Sequence, residues 1–246
     1  LADCLLSGYS ESNTELIDLN NLRSKRLELK FTKMQDCGND YIFINCFDQE
    51  INSPESLSVL LSDRHYGVGG DGIVLIMRSD VADARMRMFN RDGSEGKMSG
   101  NAIRCVAKYL YDNGIVRKLE MSVETLAGVR HLTLSTKNGL VASVRVNMGQ
   151  AELRPELIPV KLSGDKVVAR PVTVGGREYA ITCVSMGNPH CVVFCDDLEK
   201  LNLVEIGPLF ENNELFPDRV NTEFVEIMSR NQLRMRVWER GSGETL

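Results

Sequence analysis

Met88-Phe89-Asn90-Arg91-Asp92-Gly93-Ser94-Glu95-Gly96-Lys97-Met98-Ser99-Gly100-Asn101-Ala102-Ile103-Arg104-Cys105 reads as a strand that enters a helix through a glycine-rich turn. Upstream, Arg85-Met86-Arg87-Met88 is apolar at every second residue, the period of a half-buried strand. Downstream, Ile103, Val106, Ala107 and Leu110 recur at i, i+3, i+4 and i+7, and Gly114 offers a stop. Ser99, Gly100 and Asn101 open this helix. Backbone N–H groups in a first helical turn lack intrahelical partners and the dipole is positive there, which suits a carboxylate or phosphate. Ser99 is equally a candidate N-cap, and Gly93 and Gly100 are candidate turn residues.

The stretch occurs twice. Arg85-Met86-Arg87-Met88-Phe89-Asn90-Arg91 returns as Arg234-Met235-Arg236-Val237-Trp238-Glu239-Arg240, an offset of 149 positions (234 − 85), and Gly38-Asn39 returns as Gly187-Asn188 at the same offset. Both copies then enter turns rich in Gly and Ser that carry a glutamate, Glu95 and Glu244. The expectation is a duplicated unit: two similar domains across a pseudo-twofold axis with a site between them. The offset carries Ser99 to position 248, beyond Leu246, so the second half-site and the second central helix are expected outside this sequence. A second domain without that helix would expose apolar strand faces.

Composition bounds the rest. The chain has 246 residues, 43% hydrophobic and 26% charged, which is a globular balance with room for one large domain or two ordinary ones. A net charge of −5 argues against a general nucleic-acid or anionic-membrane binder, and no apolar run approaches the ~18 residues that span a bilayer. Seven cysteines form no C-x-x-C pair and no zinc spacing; with no secretory signal they predict free thiols in a reducing cytoplasm. Tyr66-Gly67-Val68-Gly69-Gly70-Asp71-Gly72 precedes a strand instead of opening a helix, so it reads as a tight turn and not as a dinucleotide fingerprint.

Residues 1–25 read as an extension, with a short helix near Glu15 to Leu22. An alternating strand is expected from Leu27 through Phe31, a second over Tyr41 to Cys46, a helix over 54–64 with Pro54 in its first turn, and a buried strand over Ile73 to Met77. Short strands follow the central helix, and residues 149–159 cross to the second half, where the pattern resumes with a helix near Leu203 to Phe210. The predicted class is α+β: two pseudo-symmetric domains, 26–148 and 149–246, each a mixed or antiparallel sheet wrapped around a central helix, the second incomplete.

Phe31-Thr32-Lys33-Met34 with Gly38-Asn39-Asp40, Phe89-Asn90 with Asp92-Gly93-Ser94-Glu95, and Gly100-Asn101 with Arg104-Cys105 stand in that order along the chain. Glu124-Thr125-Leu126-Ala127-Gly128, Met186-Gly187-Asn188-Pro189-His190, Arg219-Val220-Asn221 and Glu239-Arg240-Gly241-Ser242-Gly243-Glu244-Thr245 follow. Together they resemble the diaminopimelate epimerase family, cofactor-independent amino-acid epimerases, over most of the chain from Phe31. The resemblance implies a two-base reaction in which one cysteine removes an α-proton and another returns one to the opposite face, without pyridoxal phosphate or metal. It implies substrate binding by Asn39, Asn90, Asn188, Asn221, Glu239 and Arg240, backbone donors at Gly100 and Asn101, assistance to the second cysteine from His190 and Glu239, and a homodimer. The substrate implied is diaminopimelate, a small amino acid interconverted between LL and meso forms.

The family's first catalytic cysteine falls on Ser99, and the second is expected beyond Leu246, so this chain is expected to be inactive as it stands. A hydroxyl is a far weaker acid than a thiol, and Cys105 lies more than a turn into the helix. A related isomerase or dehydratase with a natural serine, and a catalytically dead ligand-binding fragment, remain alternatives.

Overall fold

The computed structural model describes residues 29–245 together with the short strand β1 (Cys4–Leu5). The helix expected near Glu15 to Leu22, and Leu27, lie outside the described residues. The chain divides into two compact units after Met148. No described helix is long and apolar enough to cross a membrane.

The first unit continues through β2 (Thr32–Asp36), β3 (Asn39–Asn45), α1 (Pro54–Ser62), β4 (Gly72–Met77), β5 (Ala84–Asn90), β6 (Glu95–Gly96), α2 (Gly100–Asp112), β7 (Glu120–Thr125), β8 (Gly128–Lys137) and β9 (Leu140–Val146). Its sheet runs β1-β9-β8-β7-β5-β4-β3-β2, with β6 on β5. Helix α2 touches β2 and β3 near one end of that order and β7, β8 and β9 near the other, so the sheet curls around it. The period read from the sequence explains why. Ile103, Val106, Ala107 and Leu110 are fully buried against Met34, Phe43, Met86 and Val144. Each such large aliphatic stabilises the unit by about 1.5–3 kcal/mol. The alternate residues of the middle strands, Ile42, Ile44, Ile73, Leu75 and Phe89, pack with Leu61 of α1 on the opposite face. Covered on both sides, β3 and β4 read as continuous apolar runs.

Of the strand expected from Leu27 through Phe31, the described residues 29–31 stand outside the ladder, and β2 begins at Thr32. The Gln49 side chain both accepts from Lys30 N and donates to Lys30 O, taking that backbone out of the ladder while Leu29 and Phe31 stay buried.

The second unit opens with a bridge between Glu152 and Ser185 and a 3₁₀ turn, Pro155–Leu157, in the expected crossing segment. It then forms β10 (Arg170–Val174), β11 (Arg177–Ser185), β12 (Pro189–Phe194), α3 (Leu203–Glu211), β13 (Asn221–Ser229), β14 (Gln232–Glu239) and β15 (Gly243–Thr245), a sheet in chain order with α3 packed on its last three strands.

The two units share their register as well as their pattern. Tyr41 pairs with Gly72 across parallel β3–β4, and His190 pairs with Asn221, each 149 positions on, across parallel β12–β13. Ile73 opposite Phe89 becomes Thr222 opposite Trp238, and Phe89 opposite Glu95 becomes Trp238 opposite Glu244. Arg87 pairs with Glu95 at 2.6 Å, and its counterpart Arg236 pairs with Glu244 at 2.7 Å. The offset slips by one along the preceding strand. Asp36 opposes Asn39 around Cys37-Gly38, whereas Ser185 opposes Pro189 around Met186-Gly187-Asn188.

Two differences follow from packing. Ser58 Oγ donates to Phe89 O at 3.0 Å in the first unit; the equivalent Gly207 leaves room for the larger Trp238, and a Cβ there would lie 2.2 Å from the indole. The second concerns the sheet face. Ala84 and Met86 are buried in the cluster that α2 joins, but the equivalent Leu233 and Met235 are 62% and 55% exposed.

Trp238 is the sole tryptophan, so its fluorescence reports the second unit alone. Gly207→Ala is expected to lower the stability read from that signal in denaturant by at least about 1–3 kcal/mol, the range for overpacking a well-filled core. An unchanged midpoint would contradict the Gly207–Trp238 contact.

Candidate functional site

Strand direction gathers polar residues at one sheet edge in each unit. Because β3 and β4 run parallel and β5 antiparallel to them, the starts of β3 and β4 and the end of β5 lie together: Asn39 opens β3, Gly72 opens β4 and pairs with Asn90 at the end of β5. In the second unit Asn188 immediately precedes β12, Asn221 opens β13 beside His190, and Glu239 closes β14.

The N-terminus of α2 meets the first of these edges. Ser99 is its N-cap: the hydroxyl accepts from Ala102 N at 3.2 Å, and the Ser99 carbonyl accepts from Ile103 N at 3.0 Å. Capping thus leaves the N–H groups of Gly100 and Asn101 for an external acceptor. A Cβ at Gly100 would make only ordinary contacts, so the glycine keeps the approach to these donors open without being required by space.

Asn39, 8% exposed, donates from Nδ2 to Asp71 Oδ2 at 2.9 Å, and its Oδ1 faces Asn101 Nδ2 at 3.5 Å. Arg64 bridges Asp40 and Asp71 at 2.6 and 3.1 Å, and Lys33 pairs with Asp40 at 2.9 Å. Burial pushes the Asp40 carboxyl up, but hydrogen bonds and charge from Arg64 and Lys33 together outweigh it and hold the group below its ordinary 3.8. Arg104, one turn into α2, binds Asp36 Oδ2 and Asn101 Oδ1, both at 2.5 Å. Asn90 is held by its own turn, with Nδ2 donating to Ser94 Oγ at 3.0 Å.

In the second unit both ring nitrogens of His190 are engaged, Nδ1 with Glu223 Oε1 at 2.6 Å and Nε2 with Asn188 Oδ1 at 2.9 Å. The other Glu223 oxygen is buried and has no hydrogen-bond partner. Asn221 Oδ1 accepts from Arg240 N at 3.0 Å, and Arg240 Nη1 donates to Asp218 O at 2.8 Å. Burial, helped by the nearby Arg219 charge, lowers the Arg240 pKa. Glu239 O accepts from Ser242 N at 3.2 Å.

Asn39 and Asn101 meet at the first edge with Ser99 and Gly100 in the adjoining cap, and Asn188 and His190 touch at the second, beside Asn221 and Arg240. Sequence reasoning passed over Asp71, Asp36, Arg104 and Glu223, the charged groups that hold these side chains. Asp71 lies inside the glycine run read as a turn, and Arg104 inside the helix read for its apolar stripe. Glu223 sits on β13, 33 residues from His190, where no local pattern links the two. Cys105, buried on α2, has a thiol pushed up to about 12 by burial. Cys37, Cys46, Cys105, Cys183, Cys191 and Cys195 are free thiols, and no cluster of three or more His, Cys, Asp or Glu among the described residues is placed to hold a metal.

A carboxyl held low in the folded state adds stability above its unfolded pKa and loses it as pH falls through the folded value. Asp40→Asn is therefore expected to destabilise the first unit at neutral pH, with the difference shrinking as pH drops below 3.8. Amide hydrogen exchange of β2 and β3 across that range measures it; a constant difference would remove the charge from the account.

The sequence matches the family model described as diaminopimelate epimerase over residues 31–154 and 182–246. It is 54% identical over 224 residues to the diaminopimelate epimerase of Agathobacter rectalis, covering 88% of this chain and 79% of that one. It is 55% identical over 224 residues to that of Desulfovibrio desulfuricans, covering 89% and 78%. Two solved structures share the fold at low identity. A probable proline racemase from Agrobacterium radiobacter superposes with a TM-score of 0.61 at 17% identity, over 87% of this chain and 71% of that one. A hydroxyproline epimerase from Agrobacterium vitis superposes with a TM-score of 0.59 at 14% identity, over the same shares. With more than half of its residues matched by the family model and half of them identical to curated relatives, the chain belongs to the diaminopimelate epimerase family of isomerases.

Proposed function

We propose that this protein interconverts LL- and meso-diaminopimelate by proton transfer at an α-carbon, in the formation of lysine and cell-wall precursors. The observation that carries the reading is the pair of matched sheet edges. Each offers amide side chains at the same end of its parallel strand pair, Asn39 and Asn90 in one unit and Asn188 and Asn221 in the other, and the first adds the two uncapped N–H groups of α2.

The chemistry asks for such a duplication. Inverting a stereocentre needs a base on one face of the carbon and an acid on the other. Donors at a helix N-terminus bind the α-carboxylate and stabilise the charge that grows on it as the proton leaves. A thiol suits both proton transfers, because its pKa of about 8.5 falls when it sits at a helix N-terminus. In this reading the first thiol position is Ser99, so the chain binds its substrate but moves the α-proton slowly. His190, held between Glu223 and Asn188, and Glu239 serve proton transfer on the second side; Arg240 and Asn221 bind the substrate there. The protein works in the cytoplasm as a homodimer and requires no pyridoxal phosphate or metal. Free thiols and a net charge of −5 accord with that setting.

Deuterium uptake at the α-carbon of meso-diaminopimelate in heavy water tests the reading. The chain is expected to bind the amino acid and exchange its proton slowly, and Ser99→Cys is expected to accelerate uptake by about 10²–10⁴-fold, the usual yield of a positioned acid or base. Binding without acceleration in Ser99→Cys would refute the role of position 99, and failure of both proteins to bind would refute the substrate.

A further inference from the structure

We propose that Arg104, anchored by Asp36, and Asp71 are positioning residues: they are the two ends of a polar relay that fixes which way the amides of Asn101 and Asn39 point. The inference deepens the proposed function and rests on its assignment of Asn39 to substrate binding.

An asparagine side chain has nearly the same shape with its oxygen and nitrogen exchanged, yet a flip turns a donor into an acceptor. A site that recognises both an ammonium and a carboxylate cannot tolerate that freedom. Here each amide ends on a group with one possible role. Guanidinium only donates, and Arg104 Nη2 lies 2.5 Å from Asn101 Oδ1. That contact turns Asn101 Nδ2 toward Asn39, whose Oδ1 receives it at 3.5 Å. At the far end a carboxylate only accepts, and Asn39 Nδ2 reaches Asp71 Oδ2 at 2.9 Å. Every bond donates in the same sense, from α2 across to the start of β4.

Both ends are themselves pinned. Arg104 Nε meets Asp36 Oδ2, whose side chain is 1% exposed, so the cation cannot swing away without giving up its ion pair with a buried carboxylate. Asp71 takes the Asp40 backbone N–H at 3.0 Å on the oxygen that holds Asn39, and Arg64 on the other at 3.1 Å. The central 3.5 Å contact is the longest in the series. Neither amide depends on it, because each is oriented by its own charged neighbour.

Asp71→Asn keeps size and shape but removes the obligatory acceptor. The readouts are the Asn39 and Asn101 side-chain NH₂ resonances by NMR and the Kd for meso-diaminopimelate by calorimetry, on the chain as it stands. In the parent protein the Asn39 NH₂ protons are expected to be shifted and slow to exchange. In Asp71→Asn that signature should vanish and binding should weaken about tenfold, the scale of one hydrogen bond to a charged group. Asn39→Ala should weaken binding equally, and the two changes combined should be no worse than either, because they cut one interaction. Should Asp71→Asn fail to fold, Asp36→Asn with Arg104→Met removes both buried charges together and reads the same effect on Asn101. Unchanged NH₂ resonances, or effects of Asp71→Asn and Asn39→Ala that add, would overturn the relay. If Asn39→Ala leaves Kd unaltered while Asp71→Asn still releases the NH₂ signature, the relay stands and the substrate role of Asn39 is what fails.

Discussion

In both units one parallel pair, β3–β4 or β12–β13, is flanked by antiparallel neighbours, and that choice of direction decides where chemistry can gather. A parallel pair cannot be closed by a hairpin, so a connection must travel the length of the sheet. It does so through α1 in one unit and α3 in the other, each covering one face on the way. The starts of both parallel strands and the end of the following antiparallel strand are thereby left at one edge. The side chains proposed to bind substrate in either unit stand at that edge or in the helix turn that meets it, while the strand interiors are committed to apolar clusters.

Duplication then works by keeping geometry and exchanging side chains. The Arg87–Glu95 and Arg236–Glu244 pairs brace the same strand pairing in each copy. Ser58 and Phe89 become Gly207 and Trp238, an exchange of volume in which the small residue and the large one change together, as close packing demands. At the edge the exchanges are chemical: Gly72 becomes Asn221, Asn90 becomes Glu239, Tyr41 becomes His190. One backbone frame therefore presents two different polar sets.

Much of this was legible in the sequence for identifiable reasons. The stripe on α2 has a 3.6-residue period over thirteen residues, long enough to be unambiguous. The repeat was visible because the strand with alternating arginines survived in both copies. Charged partners of polar groups were not legible, since Asp36 meets Arg104 and Asn39 meets Asp71 across separations of 68 and 32 residues that no local pattern records. The strand reading over Leu29 to Phe31 failed for a similar reason. Alternation marks which residues are buried, and Leu29 and Phe31 are, but a side-chain amide from Gln49 had taken the backbone bonds that a ladder would use.

Ser99 shows how structure and reactivity compete for one atom. Its hydroxyl accepts the Ala102 N–H and caps the helix, and serine is among the better residues for that task, worth about 0.5–2 kcal/mol over alanine. A thiol is a weaker acceptor, so a cysteine at this position would leave the first turn of α2 less well satisfied. The N–H group it releases would instead stabilise a thiolate, which is the reactive form. The same orphan donor thus either strengthens the helix or lowers a thiol pKa, and the side chain at position 99 decides which. Under the proposed function, serine at this position is the choice that favours the helix over the chemistry.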